Sequence, residues 1–104
     1  MTKVLDPIRA QMIDMVETLE QKIAALKNER TKLNYIGRKF KAKNSTDVPI
    51  TKGPDRGYVD TVWQTPELRD EYETNLKEVF ELTTKINSHR TAIRALEKWL
   101  KENK

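Results

Sequence analysis

Cysteine is absent from the 104 residues, which excludes disulfides, thiolate metal sites, iron–sulfur clusters and thiol nucleophiles. A single histidine, His89, provides no imidazole cluster for a metal or a proton relay. No apolar run approaches the roughly 20 residues that a membrane-spanning helix needs, and the first residues hold no basic-then-apolar leader pattern. The expectation is therefore a cytoplasmic protein with no membrane contact, no metal and no cofactor. With only 3 glycines and 4 prolines, little of the chain is suited to turns. What remains is 37% apolar and 35% charged, with a net charge of +4. That length and balance suit one domain, 1–104, of helical character.

Two long segments carry apolar residues at alternating steps of four and three. The first seam runs Leu5, Met12, Val16, Leu19, Ile23, Leu26, Leu33, Phe40. The second runs Leu68, Tyr72, Val79, Leu82, Ile86, Ile93, Leu96, Leu100. A period of 3.5 held this long marks coiled-coil packing, because an ordinary amphipathic helix drifts away from it. Asp6–Pro7 and Thr65–Pro66 each read as an N-cap followed by a first-turn proline. The spacing predicts an all-α, antiparallel coiled-coil helical hairpin with helices at about 6–42 and 66–102.

Residues 43–64 form an insertion of different character at the tip. Val48-Pro49-Ile50-Thr51 and Tyr58-Val59-Asp60-Thr61-Val62 are β-prone and flank the turn-rich Lys52-Gly53-Pro54-Asp55-Arg56-Gly57. A small β-hairpin and an irregular loop both fit, and Pro49 would confine its strand to an edge. The turn-rich run lacks the glycine spacing and the Lys-Ser/Thr ending of a phosphate loop.

One helix register sets the seam positions of the first helix against those of the second. If partner numbers add to 105, Leu33 meets Tyr72, Leu26 meets Val79, Ile23 meets Leu82 and Leu5 meets Leu100. Arg30 would then meet Asn75, a polar layer that selects the register, while Arg9 meets Leu96 and Val16 meets His89. Charge agrees: residues 30–46 hold six bases and no acid, whereas 66–81 hold six acids and two bases. Cross-helix ion pairs are therefore expected. Ile8, Ile13, Met15, Ile36, Leu76, Phe80 and Trp99 lie beside or behind the seam. A lone hairpin would leave several of them wet, so a homodimer forming a four-helix bundle is expected. The alternative occupant of this flank is a helix from another protein.

The tip concentrates charge and aromatic surface. Arg38, Lys39, Lys41, Lys43, Lys52 and Arg56 stand against only Asp47 and Asp55, with Tyr35, Phe40, Tyr58 and Trp63 beside them. Arginine, tyrosine and tryptophan anchor protein interfaces. The same mixture supports phosphate contact with base stacking, which makes nucleic acid the second candidate. The bland alternative is a solvated basic helix end, favourable beside the C-terminal dipole. Partner-binding candidates are thus Arg38, Lys39, Lys41, Lys43, Lys52, Arg56, Tyr58 and Trp63, with Arg30 and Asn75 as register residues.

A third reading comes from resemblance. The stretch Val16-Glu17-Thr18-Leu19-Glu20-Gln21-Lys22-Ile23-Ala24-Ala25-Leu26-Lys27-Asn28-Glu29-Arg30, followed by Lys41, Val48-Pro49-Ile50 and Asp55-Arg56, resembles the small all-helical chorismate mutases and isochorismate pyruvate lyases. The resemblance implies that Arg30, Lys41 and Arg56 bind substrate carboxylates and stabilise an ether oxygen during a pericyclic rearrangement. The chain departs from that pattern at Ile13, Gly57 and Thr91. In shape alone, helical arms with a strand tip resemble prefoldin subunits. The leading expectation is a non-enzymatic interaction module, whether adaptor, chaperone-like clamp or inhibitor, and no catalytic residue is assigned.

Overall fold

The computed structural model describes residues 2–103, with side chains from residue 6 onward. Helix α1 (Thr2–Asn44) leads into strand β1 (Ser45–Pro49), then β2 (Val59–Trp63) and helix α2 (Pro66–Glu102). Two long helices are thus joined by a two-stranded antiparallel sheet, and the insertion is a β-hairpin rather than an irregular loop. No helix among the described residues is long and apolar enough to cross a membrane.

Helix α2 starts where the sequence indicates. The Thr65 hydroxyl accepts from the Leu68 amide at 3.3 Å, the bond of an N-cap to its third helical residue. Helix α1 does not. It begins at Thr2 and carries Pro7 inside it, so Asp6 is not its cap. Pro7 follows the first turn, where it deprives only the carbonyl of residue 3 of a donor, and the helix runs through it. At the other end, Asn44 Nδ2 donates to the Phe40 carbonyl at 3.0 Å and Ser45 Oγ to the Lys41 carbonyl at 2.7 Å. These side chains satisfy last-turn carbonyls that a glycine cap would otherwise serve. The chain therefore passes directly from helix to strand.

The chain forms two compact units. One comprises Met1–Thr31 with Phe80–Lys104, the other Lys32–Val79. In the first unit the seam is mostly apolar: Ile23, Leu82 and Ile86 are buried, Met12, Val16, Leu19, Leu26, Ile93 and Leu96 are half-buried, and His89 is half-buried among them. Arg30 donates from a guanidinium nitrogen to Thr83 Oγ1 at 3.1 Å. Arg9 donates to the carbonyls of Leu100 and Asn103 at 3.0 and 3.2 Å, holding a cation on the C-terminal carbonyls of α2.

These pairings correct the register. Arg30 does not meet Asn75, nor Arg9 Leu96. Arg30 faces Thr83 and Arg9 reaches Asn103, numbers that add to 113 and 112 rather than 105. The offset is one heptad. It sets Arg30 at the level of Leu82, and Thr83, next in sequence, supplies the acceptor. The expected Leu5–Leu100 contact falls outside the described side chains.

In the second unit the same offset sets Gly37 against Asn75. Gly37 is buried, and a methyl group there would collide with the Asn75 side-chain oxygen. Asn75 Nδ2 donates to the Leu33 carbonyl at 3.1 Å, an acceptor directed along α1 toward Gly37. The bare glycine backbone lets the amide lie flat on the facing helix. Cross-helix ion pairs do not form among the described residues. The pairs present, Arg69–Asp70 at 3.8 Å and Arg69–Glu73 at 4.0 Å, lie within α2 and are exposed. Packing, a polar layer and a helix cap therefore hold the pairing where complementary charge was expected to help.

Candidate functional site

The site is built on the second unit. Strand pairing sets Ser45 opposite Trp63, Asp47 opposite Thr61 and Pro49 opposite Val59. The amide of Gln64 donates to Asn44 and that of Ile50 to Tyr58, so the even-numbered positions of β1 make the hydrogen-bonded pairs. Pro49 falls at an odd position, where its missing donor removes no bond from the ladder.

A bulge closes the hairpin. The Ile50 carbonyl accepts from Gly57 at 3.0 Å while the Ile50 amide donates to Tyr58 at 2.8 Å, so two residues oppose one. Gly57 adopts φ +96°, the left-handed conformation this bulge requires. Before it, Pro54 lies inside a turn closed by Arg56 donating to the Gly53 carbonyl at 3.2 Å.

Opposite residues of an antiparallel pair share a face. Trp63, on the odd-numbered face, stacks between Phe40 at 6.2 Å and Tyr72 at 5.1 Å, centroid to centroid. On that face too, Thr61 donates its hydroxyl to the Asp47 carboxylate at 2.9 Å. Aromatic contact thus fixes this face onto the helices, which matters because a two-stranded hairpin is marginal alone. The even-numbered face carries Thr46, Val48, Asp60 and Val62, all exposed. Tyr58, at the bulge, is 70% exposed.

The six tip cations occupy three places. Arg38 and Lys41 line one concavity with Ala42, Ser45 and Asp47. Lys39 and Lys43 line another with Tyr35, Ile36, Phe40 and Leu68. Lys52 and Arg56 lie in the loop between the strands. Lys41 Nζ stands 5.9 Å from the Tyr72 ring centroid and Lys39 Nζ 5.5 Å from that of Tyr35, both within cation–π range. Of the predicted binding residues, Tyr58 is the free aromatic and Trp63 the anchoring one.

Sequence reasoning passed over Gly37. Its signal was available: it occupies the seam position between Leu33 and Phe40, where an apolar residue would be expected. Arg30, quoted for the mutase resemblance, belongs to the first unit and engages Thr83. Lys41 and Arg56 belong to the second. The chain matches no family model, no curated protein and no solved structure.

Proposed function

We propose that the protein is a non-enzymatic interaction module that offers its strand-bearing tip to another protein, as an adaptor, chaperone-like clamp or inhibitor. The observation that carries this reading is the two-sidedness of the hairpin. The odd-numbered face is held to α1 and α2 at its Trp63 end, with Val59 exposed near the loop, while the even-numbered face presents Val48 and Val62 to solvent along its length. Apolar side chains on a positioned sheet, beside exposed Tyr58 and the loop cations, have the composition of an interface centre with a charged rim. Self-association through the apolar flank belongs to the same reading. In the first unit Ile8, Ile13, Met15 and Phe80 remain exposed, and its apolar burial rests on Ile23, Leu82 and Ile86.

A second reading, nucleic-acid binding, draws on one specific feature: the exposed Tyr58 ring close in sequence to Lys52 and Arg56, suited to stacking with phosphate contact. A single capture experiment separates the two. The immobilised chain is exposed to lysate of its source cell, with and without nuclease, beside Val48→Asp/Val62→Asp, Tyr58→Ala and Lys52→Glu/Arg56→Glu variants. The proposal expects a protein retained after nuclease and lost with the valine or tyrosine changes. Nucleic acid retained by the wild type and lost with the charge reversal would transfer the tip to the second reading. Equal capture by all variants would exclude the tip as the binding surface.

A further inference from the structure

The second unit carries a groove of a different kind on its helices. On α1, Ile36, Lys39, Phe40 and Lys43 follow one another at spacings that place them on one helix face. On α2, Leu68, Glu71, Asn75 and Glu78 do the same. Two adjoining concavities, of about 510 and 320 Å³, share Ile36 and Phe40. The larger is bordered by Lys39 and Lys43, the smaller by Glu71 and Glu78. Ile36, in both, is 57% exposed. The groove is therefore apolar along its floor, basic on its α1 rim and acidic on its α2 rim.

We infer that this groove is a self-association surface whose occupant is a second copy of the chain, related by a two-fold axis running along the helix pair. The inference sharpens the self-association proposed above by naming its face and orientation. Charge selects the partner and its direction. A two-fold along the helices carries the partner's α1 over this α2 at the same level, basic rim over acidic rim. A two-fold across the helices would lay α1 on α1 and set like charges together.

The levels agree. With Gly37 facing Asn75, Glu71 stands level with residue 41 of α1. At 1.5 Å of rise per residue, it is about 3 Å along the axis from Lys39 and from Lys43. Each Glu71 would thus sit between Lys39 and Lys43 of the other copy, with the reciprocal contacts that an isologous interface requires. Ile36 and Phe40 would be covered in the same step.

Sedimentation of the full chain at micromolar to tens of micromolar concentration tests this. The wild type is expected to be a dimer. Lys39→Glu/Lys43→Glu and Glu71→Lys/Glu78→Lys should each weaken it at least about tenfold, through like charges opposed across the interface. Mixing the two variants should restore dimerisation as a heterodimer. Helical circular dichroism checks that each variant folds, and where one does not, Ile36→Ser gives the decision through loss of dimer. A wild-type dimer indifferent to both charge reversals, or variants that fail to recover on mixing, overturns this face while leaving self-association standing. A wild type that stays monomeric overturns both. The tip variants used for partner capture leave Lys39, Lys43, Glu71 and Glu78 intact, so the two tests fail independently.

Discussion

The two units fill equivalent seam positions differently. In the first, Ile23, Leu82 and Ile86 are buried, and polar groups enter as half-buried His89, as Arg30 on Thr83 and as Arg9 on the end of α2. In the second, the buried seam residue is Gly37, faced by Asn75, and the aromatic group is Phe40 with Trp63 and Tyr72. One unit spends its seam on hydrophobic burial. The other spends it on close backbone approach and on fixing a hairpin. The first unit is held by apolar burial and the second by close backbone approach and aromatic anchoring, so substitutions in each should differ in kind.

The largest expected effect is in the first unit. Ile86 is fully buried, so Ile86→Ala should cost about 3 kcal/mol from lost transfer energy and the cavity left behind. Urea unfolding at several protein concentrations measures it, since self-association would add a concentration-dependent part. A loss below about 1 kcal/mol would mean that this seam is not what holds the helices together.

Gly37→Ala should rank next, and it sharpens the contrast because it adds a methyl group instead of removing one. The added carbon displaces the Asn75 amide and breaks its bond to Leu33, a cost of about 1–2 kcal/mol. In an ordinary helix interior the same change stabilises by roughly 0.5–1 kcal/mol. The sign alone is therefore diagnostic. A stabilised Gly37→Ala variant would show that the glycine is not needed for the approach of the two helices.

The seam was legible in the sequence because the period of 3.5 is a direct imprint of packing. The Thr65 cap and the turn residues were legible for the same reason, since each serves a local backbone need. The register was not. Two alignments one heptad apart offer nearly the same apolar layers, and the residues that decide between them, Gly37 and Thr83, are neither large, apolar nor charged. Summed charge misled in a related way. Six cations within twenty residues looked like one patch, yet Arg38 and Lys41 line a different concavity from Lys39 and Lys43. Spacing around the helix divides them where spacing along the chain does not. The even-numbered face of the hairpin needed strand register to emerge, because β1 begins at Ser45, three residues before the β-prone run suggests.

The smallest effect tests whether the first unit has a polar lock at its terminal end to match the polar layer at Gly37. Arg9 donates two hydrogen bonds, to the Leu100 carbonyl in the last turn of α2 and to the Asn103 carbonyl just beyond it, acceptors of the kind that a helix end leaves without amide donors. Arg9→Met keeps the long apolar stem and removes both the charge and the donors. It should cost about 0.5–1 kcal/mol, and part of that should fade as salt is raised, because the cation also interacts favourably with the negative end of the helix dipole. Amide exchange adds the location. The effect should concentrate in the last turn of α2 and leave the Ile86 region protected. Uniform loss of protection across the first unit would instead make Arg9 part of its core, and the division between apolar holding and polar positioning would then fail within this unit.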